Sequence, residues 1–232
     1  MRTMMKAMTM LGLALVLSGW LWAQRPGGGG MGTMGSTPSM PSLQNPTVGS
    51  GAEYLVTAKG KEMDIATVAL SKENVDGDQG FWMEQRITSA ELGGEMVMKT
   101  LTVVSGTQAG VKRMIMQQPG HPPMEMSGMM MSMMQPKSRP TPSGGGGKGD
   151  MGQLIGTESV TVPAGTYSCQ HYRKQEASGP VDIWISTSIT PYGMVKMTSA
   201  DATMVLKKIL SNETSHIKGE PQKMQMPEMP HF

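Results

Sequence analysis

Apolar and polar side chains alternate along two stretches of the chain, residues 51–118 and 151–210. Alternation with a period of two is typical of strands with one buried face. The pattern predicts strands at 81–87, 95–104, 110–116, 159–162, 167–174, 181–186, 194–198 and 203–210. Because short turns such as 163–165 separate them, an antiparallel arrangement is favoured. Residues 52–70 are harder to interpret, and a helix remains an alternative there.

Three other segments lack this alternation and are rich in Gly, Pro, Ser and Met. Such segments bury too little apolar surface to offset the entropy lost on ordering. We therefore predict a disordered leader over 24–50, a flexible loop over 119–150 and a flexible tail over 211–232. Each block between them is small for an independent core. The economical interpretation is one β domain over 51–210, interrupted by the loop.

The first 23 residues have the organisation of a secretory signal peptide. Arg2 and Lys6 form a positive start, an apolar run follows over 8–17, and Ala23 offers a small residue at the cleavage edge. The apolar run is about half the length that a membrane span needs. The sequence predicts export to the periplasm or the extracellular space, with a mature chain that starts at Gln24 and lacks a transmembrane segment.

The net charge argues against two kinds of partner. Cleavage removes two basic residues and no acidic ones, which leaves 18 of each sign in the mature chain. A chain without net positive charge or a basic stripe lacks the electrostatic signature of nucleic-acid binding or of attraction to anionic lipid. The sequence therefore predicts no nucleic-acid partner, and its oligomeric state remains open.

One part of the second block resembles a known superfamily. Residues 156–169 read GTESVTVPAGTYSC, and they are followed by DIWIS at 182–186 and PYGMVKM at 191–197. This order of motifs resembles exported bacterial β domains related to the Lol-type lipoprotein carriers. The resemblance implies a half-barrel, a single curved antiparallel sheet whose concave face holds apolar groups. It implies no catalytic residue, because the matching motifs are structural.

Catalytic motifs are absent from the sequence, which has no Gly-x-Ser-x-Gly elbow, no His-Glu-x-x-His and no second cysteine. We therefore predict a protein that is not an enzyme. Cys169 and His171 lie two residues apart on a predicted strand, roughly 7 Å along the backbone. They are either a soft-metal pair or a buried thiol beside an edge histidine, and the second interpretation is favoured because free cysteines are commonly buried.

Methionine is the compositional anomaly, with 28 residues in 232. Thioethers can bind Cu(I), and they can also form an adaptable apolar surface. The candidate metal ligands lie in the predicted loop: His121, Met124, Met126, Met129, Met130, Met131, Met133 and Met134. The favoured hypothesis is an exported, non-enzymatic protein that binds an apolar, lipid-like or protein ligand without a cofactor, through residues that the sequence does not identify. The alternative is a periplasmic Cu(I)-binding or metal-resistance protein.

Overall fold

The computed structural model describes residues 46–105, 108–126 and 151–223. These residues form strands and turns without helices, and none of them makes a helix able to cross a membrane. The strands are β1 (Ser50–Ala58), β2 (Lys61–Val75), β3 (Asp78–Ser89), β4 (Gly94–Ser105), β5 (Gln108–Gln117), β6 (Met124–Met126), β7 (Gln153–Val162), β8 (Gly165–Glu176), β9 (Gly179–Ile185), β10 (Met194–Thr198), β11 (Ala202–Leu210) and β12 (Gln222–Lys223).

The helix considered for 52–70 is wrong, because this segment contributes β1 and most of β2. Lys59 and Gly60 form a two-residue connection with φ values of 50° and 75°. Asp76 and Gly77 do the same between β2 and β3, with φ values of 55° and 90°. Two-residue hairpins favour such left-handed pairs, because their twist matches the twist of the flanking strands. The turns therefore make two consecutive hairpins from this part of the chain.

All twelve strands belong to one curved, open sheet with the order β12-β6-β5-β4-β3-β2-β1-β11-β10-β9-β8-β7. Each neighbouring pair is antiparallel except β6 and β12, which are parallel. The first and last long strands of the domain, β1 and β11, pair over their whole length. The predicted fold class, a mainly β chain with a single curved antiparallel sheet, is confirmed.

The sheet encloses most of its core on one side, which we call the inner face. The main cluster takes side chains from nine strands, and its largest fully buried members include Ile183, Met194, Met197 and Leu206. Curvature brings β7 against β10 and β11, and the backbone N–H of Ala164 donates to the carbonyl of Leu206 at 3.3 Å. The inner face is therefore the concave side of the sheet.

Residues 211–223 cross the opposite side, which we call the outer face. The side chain of Ile217 packs against Trp82, Leu101 and Ile115. The end of this segment forms β12, which pairs with β6. Strand β6 itself lies within the loop that the sequence predicts over 119–150. Up to residue 223 the tail is thus bound to the sheet, unlike the flexible tail that composition predicts. Its polar side chains meet buried partners in β3, which a composition-based argument does not detect.

Candidate functional site

Methionines line the inner face of β3–β6. Strand pairing sets Met98 of β4 opposite Met116 of β5, and Met116 opposite Met124 of β6. In the next row, Met114 lies opposite Met126. Side chains two residues apart on a strand share a face. The surface, called here the methionine face, therefore comprises Met83, Met96, Met98, Met114, Met116, Met124 and Met126.

The methionine face is mostly buried. Met98, Met114 and Met126 pack together in a separate cluster, in which each is less than 10% exposed. Met116 contacts the main core. Met124 is 37% exposed, so this surface meets solvent at β6. An incoming group would reach the thioethers from the β6 side.

A buried polar side chain interrupts this apolar surface. Gln85 of β3 lies between Met83 and Ile87 on the inner face, directly opposite Met98. The residue is only 6% exposed, and its Oε1 has no hydrogen-bond partner among the described residues. A buried polar atom left unpaired is costly, and each such atom calls for an explanation. Gln85 is thus a polar group positioned to receive a donor or a cation.

The structure describes only part of the predicted ligand set. Met124 and Met126 point to the inner face from β6, whereas His121 is exposed in the preceding turn, where its N–H donates to the carbonyl of Gln118. The remaining candidates lie outside the described residues: Met129, Met130, Met131, Met133 and Met134. The candidate set omitted Met98 and Met114. A repeated Met-x-Met in three consecutive strands was the signal that could have identified them.

His171 belongs to a separate cluster of aromatic and charged side chains on β7, β8 and β9. Its ring stacks on Trp184 with centroids 4.4 Å apart. Nε2 lies 2.6 Å from an Asp182 carboxylate oxygen, and Nδ1 lies 3.1 Å from a Glu158 oxygen. Arg173 also contacts both oxygens of Asp182. Because both imidazole nitrogens face carboxylates, His171 offers no free nitrogen to a metal in this arrangement.

Cys169 does not complete a site with His171. The thiol is buried in the main core, with its sulfur 3.5 Å from the carbonyl oxygen of Tyr167. Burial and the nearby Glu158 carboxylate raise the pKa of the Cys169 thiol. The thiolate is the form that binds metals and attacks electrophiles, so a raised pKa suppresses both activities. This geometry matches the buried-thiol interpretation. No group of three or more His, Cys, Asp or Glu side chains among the described residues could hold a metal.

An open groove of about 280 Å³ lies on the outer face beside the C-terminal segment. Its lining is dominated by charged side chains of both signs, Glu53, Asp64, Arg86, Glu95, Lys208 and Glu213, and it also includes His216. Ligand sites for apolar molecules are lined mainly by hydrophobic and aromatic groups. The groove therefore does not suit an apolar ligand, and the methionine face remains the candidate site.

Comparison with known proteins gives no family. No family model and no curated protein matches the chain. Among solved structures, a proposed lipoprotein from Parabacteroides distasonis is similar at 12% identity and a TM-score of 0.37, over 72% of this chain and 98% of that one. A proposed exported protein with a YmcC-like fold from Bacteroides fragilis is similar at 12% identity and a TM-score of 0.34, with the same coverage. The relation to Lol-type carriers stays a prediction.

Proposed function

We propose that the chain is an exported, non-enzymatic protein that binds an apolar, lipid-like ligand at the methionine face. The observation that carries the proposal is the shared orientation of seven methionines on four neighbouring strands of a concave surface. Methionine has three rotatable bonds and a polarisable sulfur, so a methionine surface can repack around different apolar shapes. The alternative occupant of the same face is an apolar segment of a client protein.

Gln85 gives the proposed ligand a polar end. Small-molecule sites combine an apolar lining with a few polar groups that set the orientation of the ligand. The unpaired Oε1 of Gln85 can accept one hydrogen bond from a ligand hydroxyl or amide. Thr100, also buried on this face, lies opposite Met83 on the neighbouring strand. A lipid-like molecule with a single donor group matches this combination.

Export rests on the first 23 residues alone. The positive start, the apolar run and Ala23 have the order that a signal peptidase substrate requires. In the periplasm or outside the cell, a non-enzymatic carrier would keep an apolar molecule out of water. The sequence supports this setting independently of the methionine face, so the two parts of the proposal can fail separately.

The binding proposal is tested with the fatty alcohol obtained by reduction of cis-parinaric acid, a fluorescent polyene whose hydroxyl can donate to Gln85, titrated into the mature chain. Met124→Glu places a charge at the exposed edge of the methionine face, where the side chain has room. Val48→Glu is the matched control, since Val48 is an exposed apolar residue outside the strands. We expect saturable binding in the wild type and the control and roughly tenfold weaker binding in Met124→Glu. Absent binding in the wild type, or equal binding in all three proteins, would contradict the proposal.

A further inference from the structure

Three consecutive strands each carry a Met-x-Met motif on the same face. The pairs are Met96 and Met98 in β4, Met114 and Met116 in β5, and Met124 and Met126 in β6. Pairing sets these motifs side by side, with Met114 directly opposite Met126 and diagonally adjacent to Met98. Directly opposite side chains have Cβ atoms about 5 Å apart, and diagonal neighbours about 7–8 Å. Thioethers on long, flexible side chains can converge across both separations.

The methionines are specific to one side of these strands. The outer face of the same region also buries apolar side chains, but they are Trp82, Val97, Leu101 and Ile115. Among the described side chains of β4–β6, every methionine points inward. A general excess of methionine would distribute over both faces, since the outer face needs apolar groups as well. The methionines of β4–β6 are therefore confined to the inner face.

From these positions we infer a binding site for a soft monovalent cation, Cu(I) or Ag(I), formed by the thioethers of Met98, Met114 and Met126. Soft sulfur ligands select soft ions, whereas harder divalent ions prefer nitrogen and oxygen. These three side chains already contact one another in a buried cluster. The site is distinct from the loop set predicted from the sequence, with which it shares only Met126.

The electrostatics of the face also favour a single positive charge. The inner-face side chains that surround the cluster are uncharged: Met83, Gln85, Ile87, Met96, Met98, Thr100, Val111, Met114, Met116, Met124 and Met126. Burial of a charge without compensation is expensive, and the cost is far larger for a divalent ion. The unpaired Oε1 of Gln85, opposite Met98, supplies a partial negative charge next to the cluster. A monovalent ion held by neutral ligands fits these groups.

The site is tested by titration of Ag(I), which is soft and stable in air, into the mature chain in competition with a chromophoric chelator. The test variant combines Met98→Leu, Met114→Leu and Met126→Leu. The matched control combines Met63→Leu, Met197→Leu and Met204→Leu, which changes as many buried inner-face methionines in the main core. Exchange of Met for Leu conserves volume, so both variants should fold. Circular dichroism and the melting temperature check this.

We expect the wild type and the control each to bind one Ag(I) per chain. The affinity of the test variant for Ag(I) should be lower than that of the wild type by roughly 100-fold or more. Should the triple variant not fold, the single change Met114→Leu removes the central thioether and should weaken binding while the fold remains. Wild-type affinity in folded Met114→Leu, or no Ag(I) binding in the wild type, would overturn the inference. A third variant that combines Met129→Leu, Met130→Leu and Met131→Leu separates this site from the predicted loop site. Loss of binding in that variant alone would also overturn it.

Discussion

Arg86 and Glu84 form a buried ion pair that fixes the C-terminal segment to the sheet, and its removal gives the sharpest stability prediction. Glu84 is 0% exposed, and its carboxylate accepts hydrogen bonds from Arg86 Nε at 2.9 Å, the Ser215 hydroxyl at 2.6 Å and the His216 backbone N–H at 2.9 Å. Arg86 also donates to Glu213 at 2.7 Å and to the carbonyl of Thr214 at 2.8 Å. Burial alone would lower the pKa of Arg86, but the bonds to Glu213 and Glu84 raise it, so the guanidinium stays charged.

The magnitude follows from what each change leaves behind. Arg86→Met leaves the Glu84 carboxylate buried without its cation, and loss of one partner of a buried pair costs about 3–5 kcal/mol. Glu84→Gln keeps a hydrogen-bonding side chain and leaves Arg86 paired with Glu213, so we expect a smaller loss of about 1–3 kcal/mol. Because the two residues act as a unit, the loss of unfolding free energy in the double variant should be smaller than the sum of the losses in the two single variants. We expect this difference to be about 1–3 kcal/mol.

Urea denaturation, monitored by circular dichroism, measures these differences in unfolding free energy. Urea carries no charge, so it does not screen the ion pair between Arg86 and Glu84. Arg113→Met is the matched control, because Arg113 pairs with Glu125 near the surface, where such a pair contributes about 0–1 kcal/mol. In Arg86→Met the amide proton of His216 should also exchange faster with solvent. A loss below about 1 kcal/mol in Arg86→Met, the range of exposed pairs, would refute a buried pair, and so would strict additivity in the cycle.

Two further predictions concern other parts of the chain. Asp182→Asn should lower the melting temperature at pH 7 and make little difference in strong acid. Burial would raise the pKa of Asp182, but the hydrogen bonds from Arg173 and His171 lower it. The contribution of Asp182 to stability is therefore present above the unfolded pKa of about 4, and it is lost as pH falls through the pKa of the folded state. An unchanged difference at low pH would contradict this. Replacement of residues 127–150 by a short Gly-Ser linker should preserve the β-type circular dichroism and the melting temperature, because closure entropy depends weakly on length; loss of the β signal would count against one shared sheet.

Strand content could be read from the sequence because buried and exposed positions alternate with the pleat. Met83 and Ile87, four residues apart in the strand predicted at 81–87, both point inward. Residues 52–70 were ambiguous because their apolar positions also allow a helical face. The Lys59-Gly60 turn, which needs positive φ at both positions, determines the outcome. Local alternation and turn chemistry thus account for most of the fold.

The C-terminal segment and the candidate site depended on contacts distant in sequence. Glu84 and Arg86 look like solvent-facing charges within β3, and their partners lie about 130 residues further along the chain. Composition alone predicts that residues 211–223 are unstructured, because it does not reveal these distant partners. Met98, Met114 and Met126 come from three strands, and only strand register reveals that they share a cluster. The methionine content of the sequence indicates a thioether surface, and the strand pairing identifies the residues that form it.

The central claim is that the exported chain carries an apolar ligand on the methionine face. The most direct test is native mass spectrometry of the full-length gene product, recovered without detergent from the compartment to which it is exported. The account predicts a chain that starts at Gln24 with a lipid-sized mass bound, and loss of that mass in Met124→Glu but not in Val48→Glu. A chain that retains Met1, or one that carries no bound mass under these conditions, would contradict the account.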